Sequence, residues 1–169
     1  DIDAAIQILR ERGLAKAAKK ATRQASMGHV ISYVHDDPGR VGVLLEINCE
    51  TDFVARTEVF RKLAHDLTLH IAAASPLWVA EEDIPSETVE LERKTALAQL
   101  ADSGKPKEIQ ERIVTGKLGA WMDEVVLLRQ PFIRDDSVTI GQMITSAIAE
   151  MGENIVVRRF ARYELGEGL

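Results

Sequence analysis

A single cysteine, Cys49, excludes any disulfide within the 169-residue chain and fits a reducing compartment. No apolar run approaches the roughly 20 residues that a membrane-crossing helix needs, and no charged-then-apolar leader opens the sequence. The expectation is a soluble protein with no membrane partner. Its start at Asp1, without a methionine, predicts that something lies upstream. Basic residues are also in short supply. Lys and Arg number 21 against 27 Asp and Glu, a net charge of −6, which argues against a general nucleic-acid binder whose affinity comes from neutralising phosphates. Gly104-Lys105 lacks the preceding glycine and the following Ser or Thr of a phosphate-binding loop. There is no dinucleotide fingerprint, internal repeat or low-complexity segment, and no cofactor is expected.

What is present centres on Arg40 to Arg56. Val41, Val43, Leu45, Ile47 and Cys49 alternate as in a half-buried strand, so Cys49 should be buried where the strand ends. Glu50-Thr51-Asp52-Phe53-Val54-Ala55 follows. Thr51 and Asp52 suit the start of a helix, because their side-chain oxygens accept backbone N–H groups left unpaired in its first turn. Phe53 then falls at the rim of the fold.

Along the rest of the chain, Asp1 to Arg12 predicts a helix with Ile2, Ile6 and Leu9 on one face and Gly13 as its stop. Leu14 to Arg23 stays helical and carries Lys16, Lys19, Lys20 and Arg23, a solvated basic face on composition alone. Ser26-Met27-Gly28 breaks the helix, and His29 to Asp36 and the strand from Val41 form a hairpin around Asp37-Pro38-Gly39. Phe60, Leu63, Ala64, Leu67, Ile71 and Ala74 mark a helix from Thr57 to Pro76 that covers the sheet. Leu77 to Pro85 reads as a loop. Ser86 caps a helix to about Asp102, closed by Gly104, with Val89, Arg93, Leu97 and Leu100 on one face. Pro106 opens a second helix with Ile109, Ile113, Gly116 and Ala120 on its buried side, making an antiparallel pair. Val125 to Leu128 is an apolar link, Gln130-Pro131-Phe132 a turn and Asp135-Asp136-Ser137 a loop. Thr139 caps a last helix that Gly152 closes, and Glu153 to Glu164 returns as a strand. The fold class is α+β: a three-stranded antiparallel sheet packed with helices on one face, plus a helical hairpin.

Enzyme chemistry finds little support. Cys49 sits on an apolar strand face beside no basic residue that would lower its thiol pKa. His65 and His70 are five apart on a helix and point in different directions, unlike a metal pair at i and i+4. They read as plain helix residues. Phe53, taken alone, more readily folds back into its own core.

The segment Asn48-Cys49-Glu50-Thr51-Asp52-Phe53-Val54-Ala55-Arg56 resembles the signature of elongation factor Ts, the nucleotide-exchange factor for elongation factor Tu. Asp3 to Ala21, Ser103-Gly104-Lys105-Pro106-Lys107-Glu108-Ile109, Gln130-Pro131-Phe132, and Gly152-Glu153-Asn154-Ile155 with Arg158-Arg159 are similar to the family in the same order, so the resemblance covers nearly the whole chain. It implies a guanine nucleotide exchange factor acting in translation elongation without covalent chemistry, in the bacterial cytoplasm or an organellar matrix. It further implies that Asp52 and Phe53, flanked by Thr51 and Val54, enter between two helices of the GTPase and disturb its magnesium site. His35, after Ser32-Tyr33-Val34, is implied to pack on another partner domain, Met151 and Gly152 to lie near the nucleotide-binding side, and Lys20 to touch the partner. Residues 1–24 are then the last helix and basic linker of an N-terminal helical domain whose Thr-Gly-Ala-Gly-Met-Met-Asp motif is absent here. Residues 25–169 are the core and dimerisation domain. Many family members have two related core subdomains and a coiled-coil insertion; this chain reads as the short form. Because a three-stranded sheet with free edges invites pairing, two copies are expected to associate through the sheet region as a homodimer. The alternatives are a non-catalytic protein-interaction domain and, third, a thiol hydrolase using Cys49.

Overall fold

The structure, a computed structural model, describes residues 1–36, 38–101 and 103–168. Asp37 of the expected turn, Asp102 at the expected helix end and Leu169 lie outside the described residues. In chain order the elements are α1 (Ile2–Ala18), β1 (Met27–His35), β2 (Val41–Cys49), α2 (Asp52–Ala55), α3 (Glu58–Ala74), α4 (Ser86–Ala98) and α5 (Lys107–Val125). There follow β3 (Pro131–Phe132), β4 (Asp135–Thr139), α6 (Ile140–Met151) and β5 (Ile155–Glu164). They form two compact units, one of residues 1–75 with 131–169 and one of residues 76–130.

The larger unit is built on the antiparallel sheet β1-β2-β5, with β2 in the middle. The alternation in β2 does what the sequence predicts: Val43, Leu45, Ile47 and Cys49 are buried. Against them lies α3, capped by Thr57, whose side chain accepts the Phe60 N–H. Phe60, Leu63, Ala64, Leu67 and Ile71 are its buried face. Thr139 and Gln142 form a reciprocal capping box at the start of α6, and Gly152 ends that helix in the left-handed conformation at φ +76°. Ile140, Ile144 and Ile148 of α6 and Ile155 and Val157 of β5 complete the core.

Several expectations are corrected. Gly13 does not stop α1, which runs on to Ala18; the cost of an interior glycine is only about 1 kcal/mol. Gly13 faces α6, where an added Cβ would come 3.8 Å from the Ala149 Cβ. The expected apolar face does not become core: Ile2, Ile6 and Leu9 are exposed, and Ala17 is the helix's buried residue. Gly28 lies inside β1 and pairs with Asn48. Its backbone runs so close to β2 that a Cβ would meet the Ile47 carbonyl oxygen at 2.1 Å. Asp135 to Thr139, expected in part as a loop, pairs with Pro131–Phe132 as a two-stranded ribbon. The Asp135 carboxylate accepts both the N–H and the hydroxyl of Ser137, and these bonds hold its pKa below the usual carboxylate value. His70 is no plain helix residue: it is fully buried, and its Nδ1 accepts the Ile133 N–H at 3.3 Å.

In the smaller unit α4 and α5 pack as the expected hairpin, with Ala96, Leu100 and Val114 at its centre and Leu97, Ile113 and Leu118 around them. The apolar face of α5 differs in part from the expected one: Ile109, Gly116 and Ala120 are exposed, Ile113 is partly buried, and Val114 is the buried position. One narrow seam needs few apolar residues, so the pattern is weak. Ser86 is the first residue of α4, with Pro85 as its cap, and the helix ends at Ala98, well before Gly104. The expected loop before it contains a 3-10 turn at Glu81–Asp83. A second such turn, Leu127–Arg129, lies in the apolar link after α5.

Candidate functional site

Two strand ends define the site. β2 leaves the sheet at Cys49 and β5 enters it at Ile155, directly opposite. Glu50 to Phe53 and Met151 to Asn154 are therefore neighbours in space, though about a hundred positions apart in the chain.

Carboxylates tie these segments together. Oε2 of Glu153 accepts the backbone N–H of Glu50 and of Thr51, each at 3.0 Å. Its Oε1 accepts the Thr51 hydroxyl at 2.6 Å. In return Oε1 of Glu50 accepts the Asn154 N–H at 2.7 Å. Asn154 is buried, and its side-chain amide donates to the carbonyls of Ala21 at 3.4 Å and Arg23 at 2.9 Å. The Arg23 guanidinium lies 3.6 Å from Glu50. Hydrogen bonds with an ionised partner are the stronger kind; here they join Glu50-Thr51 to Glu153-Asn154, and the neutral amide bonds of Asn154 add the Ala21–Arg23 segment.

The single turn of α2 stands on this clamp. Thr51, extended at φ −128° and ψ 156°, caps it by accepting the Val54 N–H at 3.4 Å. At the far end Ala55 is buried, and His29 Nε2 donates to its carbonyl at 2.6 Å while the imidazole packs on Phe60. Held at both ends, the turn presents Phe53 to solvent with 80% of its surface exposed. Asp52 beside it pairs with Arg56 at 2.9 Å, a surface ion pair of little consequence for stability.

Thr51, Asp52, Phe53, Val54, Met151 and Gly152 thus sit at one end of the sheet, with Lys20 adjacent to Ala21 on the segment that Asn154 holds. His35 is not among them. It ends β1 eight residues beyond Met27, ~27 Å along the strand, with Nδ1 hydrogen-bonded to the Tyr33 hydroxyl at 2.7 Å and Nε2 3.3 Å from Asp36. Glu50, Glu153 and Asn154 were missed as site residues by sequence reasoning. The signal lay in their positions, one just after β2 and two just before β5, and it becomes readable once those strands are paired.

Cys49 is fully buried and its thiol donates to the Thr51 carbonyl at 3.1 Å. Burial pushes the thiol pKa up, and the negative charge of Glu153 adds to the effect. The reactive thiolate is disfavoured, which removes the nucleophile a hydrolase would need. Among the described residues no group of three or more His, Cys, Asp or Glu could hold a metal ion. Among them too, no helix is long and apolar enough to cross a membrane.

A family model described as "Elongation factor TS" matches residues 2–167. The chain belongs to the elongation factor Ts family. Among curated relatives, elongation factor Ts of Herpetosiphon aurantiacus is 54% identical over 167 residues, covering 98% of this chain and 83% of the relative. That of Carboxydothermus hydrogenoformans is 52% identical over 169 residues, covering 100% and 77% respectively. That of Fervidobacterium nodosum is 52% identical over 167 residues, covering 99% and 84%. Membership of the elongation factor Ts family makes this chain a nucleotide exchange factor of translation elongation, with elongation factor Tu as its partner, and not an enzyme.

Proposed function

We propose that this chain promotes GDP release from elongation factor Tu by inserting Asp52 and Phe53 near the magnesium site of the GTPase. The observation that carries this reading is a large apolar ring held 80% exposed on a one-turn helix that is anchored at both ends. An aromatic presented in this way is suited to be an interface anchor. Thr51 and Val54 flank it, Lys20, Met151 and Gly152 supply contacts at the same end, and His35 makes a second contact at the far end of β1. Exchange then follows from linkage: a factor that binds the empty GTPase more tightly than the GDP-bound one weakens GDP by the same ratio. Release of a fluorescent GDP from elongation factor Tu, followed by stopped flow, tests this, and a chain that leaves the release rate unchanged sinks it.

We further read residues 1–24 as the last helix and linker of an N-terminal helical domain, residues 25–169 as the core, and the cytoplasm as the site of action. Two copies associate through the open face of the sheet. Val30, Val34, Leu44 and Tyr163 are all exposed by half or more. Val34 and Tyr163 flank Gly42 across the sheet, and Leu44 is two residues along the central strand. Exposed apolar side chains gathered on one face support reading it as an interaction face.

A further inference from the structure

We infer that Glu153 is the positioning residue of the exchange pair, setting the direction in which Asp52 and Phe53 project; this rests on the insertion reading above. Glu153 hydrogen-bonds to neither of those side chains. It acts through Thr51, whose hydroxyl donates to Glu153 Oε1 and accepts the Val54 N–H. Donating its proton to the carboxylate turns a hydroxyl lone pair toward Val54, so the cap of α2 is oriented by Glu153. The two N–H bonds from Glu50 and Thr51 to Oε2 fix the backbone immediately before the turn. A helix of four residues has too few internal hydrogen bonds to hold its own direction. Its aim must come from outside: Glu153 acts at the start, beside the Cys49 thiol on the Thr51 carbonyl, and His29 at the end, beside the Thr57 hydroxyl on the Val54 carbonyl. Of these, Glu153 alone belongs to the segment that also carries Met151 and Gly152. Glu153 therefore helps keep the two halves of the exchange surface in mutual register, with Glu50 returning one bond to Asn154, and of the two carboxylates it is the one bonded to the Thr51 cap.

The test uses the full chain and elongation factor Tu loaded with fluorescent GDP. Glu153→Ala should speed hydrogen exchange at the Glu50 and Thr51 amides about tenfold, the scale of losing a charged hydrogen bond. It should slow GDP release at saturating exchange factor about tenfold, with a much smaller change in the concentration for half-saturation. The triple variant Asp52→Ala, Phe53→Ala, Glu153→Ala should be no slower than the double variant Asp52→Ala, Phe53→Ala, since misdirected residues that are already absent cost nothing more. Glu153→Gln, which keeps one carbonyl acceptor, should restore part of the rate. If Glu153→Ala fails to fold, Thr51→Val, which removes the relay hydroxyl, and Glu153→Gln carry the same measurements. Unchanged amide exchange, or a triple variant slowed beyond the Asp52→Ala, Phe53→Ala double by the full effect of Glu153→Ala alone, overturns the assignment. Wild-type rates in Phe53→Ala would instead overturn the insertion reading beneath it.

Discussion

Replacing Phe53 with alanine should slow GDP release from elongation factor Tu while leaving the free chain as stable as before. With 80% of the residue exposed, its ring adds little to the fold, and substitutions at such surface positions shift stability by about 0.5 kcal/mol or less. The same exposed surface is what a partner can cover. Burying a phenylalanine side chain completely is favourable by about 1.5–3 kcal/mol, so the exposed four-fifths represent ~1–2.5 kcal/mol. If that gain is realised as the GTPase opens, its loss slows release by ~5- to 70-fold. Asp52→Ala should slow release in the same direction. The measurement is stopped-flow release of fluorescent GDP over a range of exchange-factor concentrations, with thermal unfolding of each variant alongside. Wild-type release by Phe53→Ala at every concentration would refute the reasoning, and so would slow release explained by a lowered unfolding temperature.

Other outcomes follow from the same geometry. Because the native fold raises the Cys49 thiol pKa above its ordinary value near 9.0, the folded state holds that proton more tightly than the unfolded one. Its contribution is fully present below the ordinary thiol pKa and is lost as pH rises through the folded value. Urea unfolding between pH 7 and 10.5 should show a steeper alkaline loss for the wild type than for Cys49→Ala, and identical slopes would count against the buried thiol. Gly28→Ala should destabilise by at least about 2 kcal/mol in urea unfolding, since the new Cβ meets the Ile47 carbonyl oxygen at 2.1 Å in a backbone with φ +137°; a neutral result would contradict the strand approach. Leu44→Glu places a charge in the middle of the open sheet face and should convert a dimer to a monomer of unchanged fold. Light scattering that gives a monomer for the wild type at working concentration removes the dimer altogether.

Much of the fold is legible because its apolar pattern is strong where burial is deep. The alternation of Val43, Leu45, Ile47 and Cys49 and the three- and four-residue steps of α3 both name residues that are buried. Thr139 and Gly152 mark the limits of α6 through local chemistry alone. Reading failed where long-range contacts decide. Gly13 looks like a stop until α6 is laid beside it, and the Asp135 segment looks like a loop until β3 pairs with it. The site divides in the same way. Thr51 and Asp52 declare a helix start in sequence, and the exposure of Phe53 is a property of the folded chain. The clamp of Glu50, Glu153 and Asn154 joins residues about a hundred positions apart, and no local pattern could have exposed it.

The irregularity in β5 bears on how this surface can vary. Opposite Glu46 and Ile47 the register shifts, so Glu46 faces Arg159 while Ile47 faces Val157, and Arg158 is the extra residue. Before it, odd positions such as Ile155 and Val157 point to the core; after it, even positions do, with Phe160 opposite Leu45 and Arg162 opposite Val43. Arg162 uses that inward place to donate to the Ala72 carbonyl near the end of α3. The strand therefore changes parity halfway along. The stretch that begins at the carboxylate clamp and the stretch that closes α3 answer to separate frames, so an alteration in the tail can be absorbed at Arg158 without turning the segment that carries Glu153.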